Sequence, residues 1–203
     1  VIKMLFIYRY IIFKYQKLQN LMGDDQMLSP TITTERLILR RFKESDIDMQ
    51  YEIITDKRLA TYLKFSDKSK EEELQCIKNW IKNADTDECE KWVITLKENN
   101  KPIGNISVGE INKDNNYCSI GYIVLFDYWK QGYTTEATIA ISNYLLNERK
   151  YYLVEAYCNE NNKASSSVLI KSGFKKDGYV ANRRKNLDGT YSGLDYYSKR
   201  LDN

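Results

Sequence analysis

The feature that most constrains this chain is a change of periodicity partway along it. Three β-type runs come first: Trp92-Val93-Ile94-Thr95-Leu96, Ile103-Gly104-Asn105-Ile106-Ser107-Val108 and Cys118-Ser119-Ile120-Gly121-Tyr122-Ile123-Val124-Leu125. They are rich in β-branched and aromatic residues and joined by short polar segments, with Glu98-Asn99-Asn100-Lys101 a hairpin turn that lacks glycine. After Gly132 the spacing turns helical, with Ala137, Ala140, Ile141, Tyr144 and Leu145 on one stripe. Residues 152–158 return to a strand, 162–171 read as a second helix closed by Gly173, and two strands flank the Asp188-Gly189 turn. Closely linked strands pair antiparallel, whereas strand, helix, strand requires a parallel crossover. The chain must therefore build an α+β layer structure on a mixed sheet.

Upstream of these runs, 36–42 alternates as a first strand, and Ser45 or Asp46 can cap a helix running through Met49, Ile53 and Ile54. A further helix is expected over 70–84, where Leu74, Ile77 and Ile81 share a face. Residues 1–26 differ in character and are expected to be an N-terminal extension, disordered or a single helix, ahead of one domain over 27–203. Their apolar stretch, 4–13, is interrupted by Arg9 and falls well short of the ~20 residues a membrane-spanning helix needs. No membrane association is expected.

The 203 residues carry a net charge of +3, of which the first 26 contribute +2. The rest is too balanced for a nucleic-acid footprint. The absence of histidine excludes a Ser-His-Asp triad, a His-ligated zinc and an imidazole base. Acid–base work must fall to carboxylates, tyrosine, cysteine, lysine, backbone or water. Cys76, Cys89, Cys118 and Cys158 form no C-x-x-C pair, which points to reduced thiols and a cytoplasmic protein with no metal site.

One segment points to a ligand. The strand at 120–125 runs through Phe126-Asp127-Tyr128-Trp129 into Lys130-Gln131-Gly132-Tyr133-Thr134-Thr135 and then a helix. The first turn of a helix has unpaired N–H groups and partial positive charge, so it attracts anions. Gly132 allows positive φ or close approach, Thr134 and Thr135 offer hydroxyls, and Lys130 adds charge. Taken alone, this is either an anion site or an ordinary connection.

Four motifs occur in order: Ile120-Gly121-Tyr122; Tyr128-Trp129-Lys130-Gln131-Gly132-Tyr133-Thr134-Thr135-Glu136-Ala137; Asn162-Lys163-Ala164-Ser165; and Lys171-Ser172-Gly173-Phe174. Together they resemble the GNAT superfamily of N-acetyltransferases, and Thr34-Glu35-Arg36-Leu37-Ile38-Leu39-Arg40 resembles the opening of its Rim-type branch, which acetylates ribosomal-protein N-termini. The resemblance spans roughly residues 31 to 201. It implies a mostly antiparallel sheet of about six or seven strands, with helices on both faces and two strands splayed at the cofactor. It further implies that acetyl-CoA is the cosubstrate. Ile123, Val124 and Leu125 would pair their backbone with the pantetheine arm, and Lys130, Gln131, Gly132, Tyr133, Thr134 and Thr135 would hold the pyrophosphate. Asn162 would bond the pantetheine or a water, and Ser165 would lie near the thiol.

The catalytic side departs from the family pattern. A glutamate of many relatives corresponds to Ser119, a tyrosine acid of others to Leu169, and the strand that carries a carboxylate base in some Rim-type enzymes reads Ala181-Asn182-Arg183-Arg184. Ser165 is retained as a candidate acid, and Glu110 is the nearest carboxylate in sequence, with Asp127 another. Tyr122 reads as cleft lining or core, Trp129 as a packing anchor, and Asp195 and Tyr197 as structural or acceptor-lining. The expected partner is an amine acceptor, either a protein N-terminus or a small molecule such as a polyamine, amino sugar or antibiotic, with a homodimer left open. A non-catalytic acyl-CoA sensor is the alternative from another class. A nucleotide hydrolase is disfavoured by the lack of a G-x-x-x-x-G-K-[ST] run.

Overall fold

The computed structural model describes residues 29–60, 67–86, 90–186 and 188–201; the extension expected over 1–26 and Cys89 lie outside these. Eight strands form one sheet: β1 (Ile32–Thr33), β2 (Leu37–Arg40), β3 (Lys91–Leu96), β4 (Pro102–Asn112), β5 (Tyr117–Val124), β6 (Leu153–Asn159), β7 (Lys175–Lys185) and β8 (Tyr191–Lys199). Their order is β1-β2-β3-β4-β5-β6-β8-β7. Every pair is antiparallel except β5–β6, as the crossover between them requires. The α+β class and mixed sheet are as expected, but the strands number eight rather than six or seven. The addition is β1, which folds back on β2 through a turn in which the Thr34 N–H donates to Leu37 O at 2.9 Å. Two residues carry no readable periodicity.

The helices are α1 (Ile47–Thr55), α2 (Lys57–Ala60), α3 (Lys70–Lys82), α4 (Tyr133–Asn147) and α5 (Lys163–Lys171). Alternation along β3 divides them between two faces. Trp92, Ile94 and Leu96 join Leu37, Leu39 and the α4 residues Ala137, Ile141 and Leu145 in the larger core. Val93 points the other way, to Met49 and Ile53 of α1 and Ile77 of α3. Ser69 caps α3 by accepting from Glu72 N, and Glu72 accepts from Ser69 N in return. Asp46 sits at the start of α1 without capping it, because Arg40 grips its carboxylate at 2.7 and 2.8 Å. In the β3–β4 turn, Asn100 takes the positive φ (+57°) that glycine would otherwise supply.

The arrangement that positions the site is the short β5–β6 pairing. Only Tyr117↔Leu153, Cys118↔Val154 and Ser119↔Glu155 are partners. Beyond that rung β5 continues along β4 to Val124, while β6 continues along β8 to Asn159. The two strands part like a V in the middle of the sheet.

Candidate active site

A cavity of about 850 Å³ fills this V, bounded by β5 on one side, β6 and α5 on the other, and the start of α4 at its end. Of the residues expected at a cofactor site, Ile123, Val124, Lys130, Gly132, Thr134, Thr135, Asn162 and Ser165 line it. Leu125, Gln131 and Tyr133 do not, and neither does Glu110, the candidate base.

The reasons are local. Leu125 is buried in the smaller core, and its N–H donates to Ile103 O at 2.8 Å. Main-chain groups of alternate strand residues point to the same side, so Ile123 also turns its N–H and C=O toward β4. The main chain facing the V is that of Ile120, Tyr122 and Val124. The Val124 carbonyl accepts from the Trp129 indole at 2.9 Å, so Trp129 anchors the strand end. Gln131 is exposed and its side chain donates to Asp127 O. The Tyr133 ring lies 4.6 Å below the Arg36 guanidinium.

The turn before α4 passes through two positive-φ residues, Lys130 (+60°) and Gly132 (+83°). The left-handed conformation costs a lysine about 1 kcal/mol, and such strain persists only where the surroundings impose it. A brace does so here. Glu136, in the first turn of α4, accepts from the Thr34 hydroxyl at 2.6 Å, the Arg36 N–H at 2.8 Å and Arg36 Nε at 2.7 Å. Arg36 Nη1 donates on to Gln131 O at 3.0 Å. Burial alone would raise the Glu136 carboxyl, but the bonds from Thr34 and Arg36 outweigh it and hold the group below its ordinary range. The loop between β1 and β2 therefore clamps the helix start. Arg36 stands in a strand-opening motif, and nothing in its local sequence marks this contact, which joins residues a hundred positions apart.

Inside the V, the Tyr122 hydroxyl lies 3.0 Å from Ser165 Oγ and 3.2 Å from Ser165 O. Burial raises the Tyr122 phenol strongly, so it stays protonated, and the Ser165 bond offsets only part of that shift. Cys158 lines the same wall, where burial raises its thiol. Asn162 caps α5, its Oδ1 accepting from Ser165 N at 3.0 Å, which leaves its amide N–H₂ to face the cavity. Asp195 is buried beside Lys176 at 2.6 Å, and the Tyr197 hydroxyl contacts Ser166 Oγ at 2.7 Å, so both stand as structural groups at the far strand.

Glu110 sits exposed at an irregularity in β4, with its backbone N–H donating to Ser119 Oγ at 2.9 Å. Cations are plentiful by contrast: Lys130, Lys163, Lys171, Arg183 and Arg184 all border the cavity. A long cleft with a cationic rim and a helix start at one end suits a slender ligand carrying phosphates.

The comparisons agree with this geometry. Residues 36–175 match the model of the acetyltransferase (GNAT) domain. The uncharacterized N-acetyltransferase YnaD of Bacillus subtilis (strain 168) is 28% identical over 148 residues, covering 73% of this chain and 84% of that protein. Among solved structures, the ribosomal L7/L12 alpha-N-protein acetyltransferase RimL in complex with coenzyme A superposes with a TM-score of 0.76 at 20% identity, over 85% of this chain and 99% of that one. The microcin C7 self-immunity acetyltransferase MccE, in complex with acetyl-CoA and AMP, gives 0.74 at 17% identity over 87% of this chain and all of the other (100%). Fold, cleft and family match converge: this chain belongs to the GNAT family and is an acyl-CoA-dependent acetyltransferase.

Proposed function

We propose that the chain transfers the acetyl group of acetyl-CoA to a primary amine, foremost the N-terminal α-amine of a protein, by direct attack with both substrates bound. The observation that carries this reading is the parting of β5 from β6 into a cleft that ends at the cationic start of α4. The cosubstrate supplies an activated acyl carbon on a thiol leaving group. The chain's own part is positioning and proton handling. Tyr122 and Val124, rather than Ile123 and Leu125, offer main chain to the pantetheine arm, and the Val124 N–H is the candidate donor to the thioester oxygen. Residues 130–135 receive the pyrophosphate on the N–H groups of the α4 start, with Lys130 adding charge. The Asn162 amide faces the arm, and the Ser165–Tyr122 hydroxyl pair stands where a departing thiolate can be protonated.

Support for a protein N-terminus comes from the opposite face of the sheet. There β6, β8 and β7 present Tyr157 (56% exposed), the half-buried Tyr196 and the exposed Val180, apolar groups against which an extended chain can lie. In this reading residues 27–203 are the catalytic unit, working in the cytoplasm. Calorimetric titration with acetyl-CoA, followed by mass spectrometry of a panel of peptides, polyamines and amino sugars, tests it. Binding and acetylation confined to peptide α-amines are expected. Failure to bind acetyl-CoA at millimolar concentration overturns the cosubstrate. Acetylation confined to polyamines or amino sugars overturns the protein acceptor, and binding without turnover on any amine overturns the transfer itself.

A further inference from the structure

The cations that border the cavity fall into two groups on opposite faces of the sheet. Ala156 and Cys158 belong to the larger core, and Tyr197, the rung partner of Ala156, meets Ser166 of α5 at 2.7 Å. That face therefore carries α4 and α5. With them come Lys130, just before α4, and Lys163 and Lys171, at the two ends of α5. Alternation turns Tyr157 and Asn159 to the other face, together with Leu194, the rung partner of Asn159. Ser192, two residues from Leu194, shares that face and pairs with Arg184 of β7.

An irregularity in β7 brings the second group to the cavity. Between Val180↔Leu194 and Arg184↔Ser192, residues Ala181, Asn182 and Arg183 stand opposite Gly193 alone, and Asn182 takes a φ of +55°. A bulge bends its strand and re-aims side chains, and here Arg183 and Arg184 both line the cavity. Leu59 of the smaller core lines it too, so the cavity passes through the V to the face away from α4 and α5. No aspartate or glutamate is among the described residues that line it. Carboxylates of the neighbouring loops are engaged elsewhere: Glu160 accepts from the Gly193 N–H at 2.7 Å, and Asp188 from the Thr190 N–H and hydroxyl at 3.0 and 2.6 Å.

Resting on the acetyl-transfer reading above, we propose that Arg183 and Arg184 form an acceptor subsite for an anionic group, so that the enzyme selects protein N-termini with aspartate or glutamate within the first few residues. The lysines serve phosphates on the helix side, and a second cationic pair across the sheet suits a second anion. A carboxylate fits the fork of a guanidinium with two parallel hydrogen bonds. The apolar groups Tyr157, Tyr196 and Val180 share this face and lead along β7 to the arginines. The same walls act against polycations, because like charges brought together in a cleft repel. They also favour an α-amine, whose ordinary pKa of about 8 lies well below the ~10.4 of a lysine-type amine. Nearby positive charge shifts such an amine further toward its neutral, nucleophilic form.

Kinetics on matched peptides with aspartate, asparagine or lysine at residues 2 and 3 test this. Wild type is expected to prefer the aspartate peptide over the asparagine peptide by about tenfold in kcat/KM, chiefly through KM, and to use the lysine peptide least. The preference should shrink as salt rises. The double variant R183Q/R184Q should bring the aspartate and asparagine peptides level, and Arg184→Glu should move the preference toward lysine, with acetyl-CoA affinity by calorimetry as in wild type. A wild-type enzyme that uses the three peptides equally, or the lysine peptide best, overturns the subsite and leaves acetyl transfer intact. A double variant that folds by circular dichroism yet loses acetyl-CoA binding also overturns it, because the arginines then serve the cofactor. Should the variants fail to fold, the wild-type preference and its salt dependence decide. A wild-type protein inert toward every peptide and every other amine removes the acetyl-transfer reading and the subsite with it.

Discussion

Gly132 is the residue on which the cofactor turn depends. Its φ of +83° suits glycine, and a Cβ there would lie 3.2 Å from Arg36 Nη2. Gly132→Ala therefore meets both backbone strain of about 1–2 kcal/mol and a crowded guanidinium. Acetyl-CoA binding is expected to weaken by about tenfold, equivalent to ~1.4 kcal/mol, read by calorimetry. The need for glycine was legible in the sequence because the strand-to-helix context was. The meeting of Tyr122 with Ser165 at 3.0 Å was not, since each residue is ordinary at its own position and they lie 43 residues apart.

Helix α4 delivers its N-terminus to the cleft because the β1–β2 loop holds it there through Thr34, Arg36 and Glu136. Arg36→Ala should weaken acetyl-CoA binding without touching any cavity-lining side chain, because it removes the bonds to the Gln131 carbonyl and to Glu136 Oε2, leaving Glu136 held only through Oε1 by the Thr34 hydroxyl and the backbone N–H of residue 36. The same brace carries a pH signature. The folded pKa of Glu136 lies below its reference of 4.5, so its stabilising contribution is complete above about pH 4.5 and is lost as pH falls through the lowered value. Glu136→Gln should accordingly be less stable than wild type at neutral pH, and the gap should close in acid; denaturant titrations at several pH values measure it. Helices α3 and α4 were legible from apolar stripes, and α3 ends at Lys82, close to its expected limit at residue 84. The brace involves exposed or half-buried polar groups, which leave no periodic trace.

For the whole molecule, the larger core couples stability to the site. Leu145 is fully buried (0% exposed) and packs α4 onto the sheet. Leu145→Ala removes buried methylene surface and leaves a cavity, so a loss of about 3 kcal/mol is expected. Denaturant unfolding reads the loss directly. Cofactor affinity should decline much less, because α4 keeps its clamp at the N-terminus.

Periodicity along the chain was enough to determine the α+β class, the antiparallel run from β3 to β5, the crossover through α4 and the glycine at its start. Those are local properties, because a strand or helix must show its buried face at every second residue or every third to fourth. The tertiary structure alone decided how far β5 and β6 stay paired and which main-chain groups face the V. Register along a strand shifts every partner at once without altering any residue's identity. No single stretch of sequence could therefore reveal that β5 and β6 part after the Ser119↔Glu155 rung.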